Sequence, residues 1–126
     1  MLVRAVRGAT TVENNDAEEI LNATEELLEA IVKENQINEE DIISVIFTVT
    51  DDLNAAFPAA AARRLGWTST ALMCMNEIAV PGSLKKCIRI MLHFNTEKSK
   101  SEIKHIYQKG AKALRPDLQD KREEIL

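Results

Sequence analysis

The chain has 126 residues, with 16 lysines and arginines against 20 aspartates and glutamates, for a formal charge of −4. That length supports one domain over residues 1–126, burying roughly 65–70% of the unfolded chain's surface, and leaves no room for a second independent core. The 45% hydrophobic content excludes wholesale disorder, and the acidic balance gives no general attraction to nucleic acid. No stretch approaches the ~20 apolar residues of a membrane span, and MLVRAVRGA lacks the long apolar core of a signal peptide. The two cysteines, Cys74 and Cys87, make no disulfide scaffold and point to a reducing compartment.

Charge is distributed unevenly. Between Glu13 and Asp41 there are 11 acidic residues and one basic residue, Lys33. Between Gly82 and Arg115 there are nine basic residues and two acidic ones, Glu97 and Glu102. One part of the surface is therefore negative and another positive. This arrangement serves solubility and intramolecular attraction, and it also suits a site for an anionic small molecule lined by a few of the cations.

The opening LVRAVRGATTV reads as an extended strand, with Val3, Ala5 and Arg7 on one face and Leu2, Arg4 and Val6 on the other. Gly8 permits a turn or a close backbone approach. Asp16 can cap a helix, with Glu19 three residues later closing a capping box. Ile20, Leu21, Thr24, Leu27, Leu28 and Ile31 then recur at helical spacing, predicting an amphipathic helix from about residue 16 to 35. Residues 42–50, IISVIFTVT, are almost wholly β-branched or aromatic and predict a buried strand. Pro58 opens a short helix that Gly66 ends, and a strand follows over residues 70–75.

Pro81 and Gly82 punctuate a loop. Residues 87–96 predict a further strand, with Ile88, Ile90, Leu92 and Phe94 on one face and Cys87, Arg89, Met91 and His93 on the other. Its doubly apolar character suggests burial against a partner subunit. Ser99 and Glu102 form another capping box before Ile103, Ile106 and Tyr107, predicting a helix that ends near Gly110. A short final strand over residues 111–114 stops before Pro116. The expected order is β-α-β-α-β-β-α-β, an α+β fold with helices on one side of a mixed sheet.

There is no glycine-rich phosphate loop, dinucleotide fingerprint or metal-binding cysteine pair. His93 and His105 are isolated, and no Ser-His-Asp spacing can be assigned. A few polar residues in awkward places remain. Arg89 lies within the apolar strand KKCIRIMLHF, where an unpaired buried cation is very costly. Its guanidinium either reaches solvent or pairs with a carboxylate of the protein or of a ligand. Arg7 is similarly placed just before Gly8. Glu77 reads as a loop carboxylate. Tyr107, the single tyrosine, is either core with its hydroxyl at the edge or a ligand donor.

Four segments together resemble the monofunctional AroH-class chorismate mutases: RGATTVE at 7–13, FPAAAARRLGW at 57–67, CMNEIAVPGSLKKCIRIM at 74–91 and LRPDL at 114–118. The resemblance implies a homotrimer with a pseudo-α/β-barrel core and active sites at subunit interfaces. It also implies conversion of chorismate to prephenate by an intramolecular Claisen rearrangement, without cofactor or metal, in the shikimate pathway of cytoplasmic aromatic amino-acid biosynthesis. By the same resemblance, Arg7 binds a substrate carboxylate and Arg89 stands beside the ether oxygen. Glu77 and Cys74 lie near the ring hydroxyl, and Tyr107 contacts a carboxylate. Phe57 and Leu114 are apolar pocket residues, Arg63 stands at the pocket mouth, and Arg115 belongs to the terminal region. Ala60 departs from the family pattern, which has a lysine there, and Pro81 departs from the commoner loop. From the residues alone, two rivals stand: a non-catalytic oligomeric module binding small carboxylates, and another cofactor-free enzyme acting on an enol or keto acid.

Overall fold

In the computed structural model, which describes residues 1–114, the first strand, β1 (Leu2–Thr11), runs straight through Gly8. The glycine serves a close approach and not a turn. A Cβ at that position would lie 2.8 Å from Ile31 Cδ1 and 3.1 Å from the main-chain oxygen of Ile106. Helix α1 (Ala17–Glu34) begins as its sequence predicts, with the Asp16 carboxylate accepting from Glu19 N–H at 3.0 Å. The second half of the expected capping box differs. The Glu19 carboxylate reaches past Asp16 to accept from the main-chain N–H groups of Glu13 and Asn14. These bonds, that from Asn14 foremost, hold its carboxyl below the ordinary range. Glu19 thereby ties the β1–α1 connection to the first turn of the helix.

β2 (Ile42–Val49), the short helix α2 (Ala59–Arg64), β3 (Ala71–Asn76) and β4 (Cys87–Thr96) follow within a residue or so of expectation. Pro58 stands immediately before α2, and Gly66, at φ +91°, turns the chain out of it. The five strands form one mixed sheet in the order β3-β2-β4-β1-β5, β5 being Ile106–Tyr107. β4 is antiparallel to both β1 and β2, while β3 runs parallel to β2 and β5 parallel to β1.

The segment after β4 departs from the sequence reading. The Ser99–Glu102 capping box forms, but it caps only the 3₁₀ turn Lys100–Glu102. The expected helix over residues 99–110 is replaced by that turn, the extended pair Ile106–Tyr107 and the start of a further 3₁₀ helix, Lys109–Leu114. The last also replaces the strand expected at 111–114. Non-local bonds account for the difference. The buried Asn35 side chain accepts from Lys104 N–H at 2.8 Å and donates to Lys104 O at 3.0 Å, which pins the chain open just before β5.

Both helices cover one face of the sheet. Leu27, Leu28 and Ile31 of α1 and Ala59, Ala61 and Ala62 of α2 share a core with Val6, Val45, Phe47, Ile90, Leu92 and Phe94. The other face carries Val3, Ala5 and Arg7 of β1, Ile46 and Thr48 of β2, Met73 of β3, and Arg89, Met91 and His93 of β4; no α-helix of the described residues lies over it, and the 3₁₀ helix Lys109–Leu114 packs only at its Ala9–Cys87–Tyr107 end. Among those residues no helix is long and apolar enough to cross a membrane.

Candidate active site

The uncovered face carries the polar residues that the sequence left unexplained. In register, Thr48 of β2 lies opposite Arg89 of β4, and Arg89 lies opposite Ala9 of β1. Arg7 lies opposite Met91, one pleat along. Glu77 follows the last residue of β3. Its N–H donates to Val49 O at 2.9 Å, extending the parallel ladder by one residue and aiming its side chain toward Arg89. A cavity of about 280 Å³ opens there, lined by Arg7, Thr48, Glu77, Arg89, Tyr107 and Leu114 with Gly8, Ile46, Ile90 and Met91.

Within it, Arg89 Nε stands 3.3 Å from Glu77 Oε2. The contact is an ion pair without hydrogen-bond alignment, and among the described residues Nε has no hydrogen-bond partner. The Arg89 side chain remains 43% exposed, against 23% for Glu77, so the outer end of the guanidinium faces the opening. Thr48 Oγ1 donates to the same carboxylate oxygen, Oε2. Among the described residues the site therefore holds two guanidinium groups, one carboxylate with one hydrogen-bonded oxygen and one without, a phenol and an apolar floor. Such a set suits a compact molecule bearing carboxylates and a hydroxyl. Beside Arg89 on the same face of β4, the buried Cys87 packs with Leu84, Tyr107, Ala111 and Leu114. Burial pushes its thiol up, with the charge of Arg89 partly offsetting that.

The chain matches the family model described as chorismate mutase type I over residues 3–118. The chain belongs to the type I chorismate mutase family. It is 46% identical over 119 residues to chorismate mutase AroH of Bacillus subtilis (strain 168), covering 94% of each chain. To chorismate mutase AroH of Thermus thermophilus it is 44% identical over 119 residues, covering 94% of this chain and 98% of the relative. Among solved structures it resembles a chorismate mutase from Clostridium thermocellum. That match has a TM-score of 0.87 and 64% identity, over 87% of this chain and 98% of the other.

Against the set that the family pattern implies, the chain brings together Arg7, Glu77, Arg89, Tyr107 and Leu114. Cys74 stands elsewhere. It pairs in register with Phe47, which puts it on the helix-covered face, and it packs against the core. With Phe57 it lines a separate cavity of about 440 Å³ beside Val49, Leu53 and Met75. Phe57 is 72% exposed, and Arg63 is exposed in the last turn of α2. Arg115 lies outside the described residues. Thr48 is the polar lining residue that the sequence did not single out. Its one signal was a polar side chain sharing a face with Ser44 and Ile46 in a strand otherwise rich in apolar residues.

Proposed function

We infer that the chain is a chorismate mutase, an isomerase that converts chorismate to prephenate. The observation that carries this reading is the convergence of Arg7, Glu77, Arg89 and Tyr107 on one cavity in a chain of the type I family. The rearrangement breaks the ether C–O bond and forms a C–C bond within one molecule, so it requires no external acid, base or nucleophile. What the protein supplies is position and charge. Arg7 and Tyr107 engage carboxylate and select the compact diaxial conformer, in which the reacting carbons approach. As C–O cleavage runs ahead of C–C formation, negative charge gathers on the ether oxygen. The open end of the Arg89 guanidinium donates there and stabilises the transition state more than the ground state. The uncommitted Glu77 oxygen accepts the ring hydroxyl.

The proposed assembly is a homotrimer with a pseudo-α/β-barrel core, formed by residues 1–126 as a single domain and working in the cytoplasm. Support comes from the division of the expected site. Phe57 and Cys74 line a second cavity beside β3, and Arg63 is exposed, so a site using all of them with Arg89 spans two copies. Arg115 extends the set from the terminal region.

Single-turnover rearrangement of chorismate tests the reading. Replacing Arg89 with citrulline keeps the shape and removes the charge. Turnover is expected to fall on the order of 10²-fold or more, with a smaller change in affinity. Arg89→Lys keeps the charge and loses the fork, and it should also be slow. A folded parent that binds chorismate without converting it would establish the carboxylate-binding module instead.

A further inference from the structure

Glu77 and Arg89 face each other with nothing covalent to keep them apart, and their arrangement is not the one that two such groups adopt freely. A carboxylate and a guanidinium left to themselves form parallel double hydrogen bonds through the terminal nitrogens. Here the ion pair is made at Nε, at 3.3 Å and without hydrogen-bond alignment, and among the described residues no terminal nitrogen of Arg89 hydrogen-bonds Glu77. The Arg89 side chain stays 43% exposed.

Thr48 supplies the restraint. It lies opposite Arg89 on β2, and its Oγ1 donates to Glu77 Oε2, the oxygen that Arg89 Nε also faces. From the other side, the Glu77 main chain is held by its bond to Val49 O, adjacent to Thr48. Both ends of the carboxylate arm are thereby tied to one stretch of β2. Among the described residues no hydrogen bond engages Glu77 Oε1.

We propose that Thr48 is a positioning residue that holds the Glu77 carboxylate off the terminal nitrogens of Arg89. It keeps the guanidinium free to serve the ether oxygen and Oε1 free to accept from the substrate. The proposal deepens the chorismate mutase reading and rests on it. Without the hydroxyl, Oε2 loses its only aligned donor among the described residues. The carboxylate swings onto the open end of Arg89, and the two groups neutralise each other where charge is needed.

Thr48→Val is nearly isosteric, suits a strand and removes only the donor. We expect kcat to fall at least tenfold, with a smaller change in KM, because the lost interaction belongs to the transition state. Thr48→Ser keeps a hydroxyl and should recover most of the loss. In an E77A background Thr48→Val should change kcat by less than twofold, since a residue acting through Glu77 has nothing left to position. Circular dichroism and thermal midpoints establish folding first. Should T48V not fold, T48A enters the same cycle. An active parent whose T48V variant turns over within twofold overturns the proposal. So does an equal loss with and without Glu77. An inactive, folded parent overturns instead the enzymatic reading on which the proposal stands.

Discussion

An arginine in the middle of an apolar strand leaves two solutions open from sequence, solvent or a carboxylate, and Arg89 takes both. Its inner nitrogen faces Glu77 while the outer part of the side chain reaches the opening. Arg89 was legible because a cation among Ile and Met is costly unless something receives it. Thr48 was not legible, because threonine is ordinary in a strand and its partner Glu77 is 29 residues away in sequence. Cys87 makes a prediction at the same scale. Its thiol is wholly buried, and burial raises its pKa with Arg89 only partly offsetting the rise. The raised value lowers the thiolate fraction at pH 7–8, and thiolate is the reactive form. Iodoacetamide should therefore label Cys87 at least tenfold more slowly in the native protein than in urea, as read by peptide mass spectrometry. Equal rates would mean that the residues packed over it open freely.

At the scale of elements, sequence served best where a local pattern and its long-range partner agree. α1 carries its own cap and stripe, and β4 alternates cleanly between its faces. The segment from Ser99 to Leu114 has a genuine capping box and apolar residues at helical spacing, but an isolated short helix is marginal in water. Pairing of Ile106–Tyr107 with Gly8 and Ala9, together with the Asn35 clasp on Lys104, wins over the local signal. Neither partner is near in sequence, so neither could be read from the segment itself. Gly8 joins these elements. It is extended, and its lack of a Cβ lets Ile31 of α1 and the Ile106 carbonyl of β5 close on β1. The tip of Ile31 can shift, but the carbonyl of a paired strand cannot shift without loosening β5. Gly8→Ala should lower stability by about 1–3 kcal/mol, the usual effect of overpacking. Urea unfolding should show an earlier midpoint with an unchanged slope. An unchanged midpoint would mean that the helix–sheet gap is looser than these distances imply.

At the scale of the molecule, the two faces of the sheet are treated differently. One is sealed by α1 and α2. The other leaves Val3 57% and Met73 58% exposed, beside the partly buried Ile46 and Met91. β3 adds to this as a terminal strand of the sheet, with Met75 44% exposed and Ile78 beyond it 84% exposed. A monomer rarely leaves so much apolar surface next to an unpaired strand edge, and the cavity lined by Phe57 and Cys74 lies along that same strand. Met73 tests whether that face meets a second copy. It lies on the open side of β3, opposite Ile46, and lines neither cavity. Met73→Glu is harmless in a monomer, where the carboxylate stays in water. In the proposed trimer it buries a charge in each copy, at a penalty of several kcal/mol per ion. Sedimentation equilibrium should give a trimer for the parent and a smaller species for M73E, and turnover should fall with the loss of trimer at each protein concentration. Circular dichroism should show the sheet intact in both. A parent that sediments as a monomer while converting chorismate at full rate would show that one protomer holds a complete site, and Phe57, Cys74 and Arg63 would lose their proposed part in it.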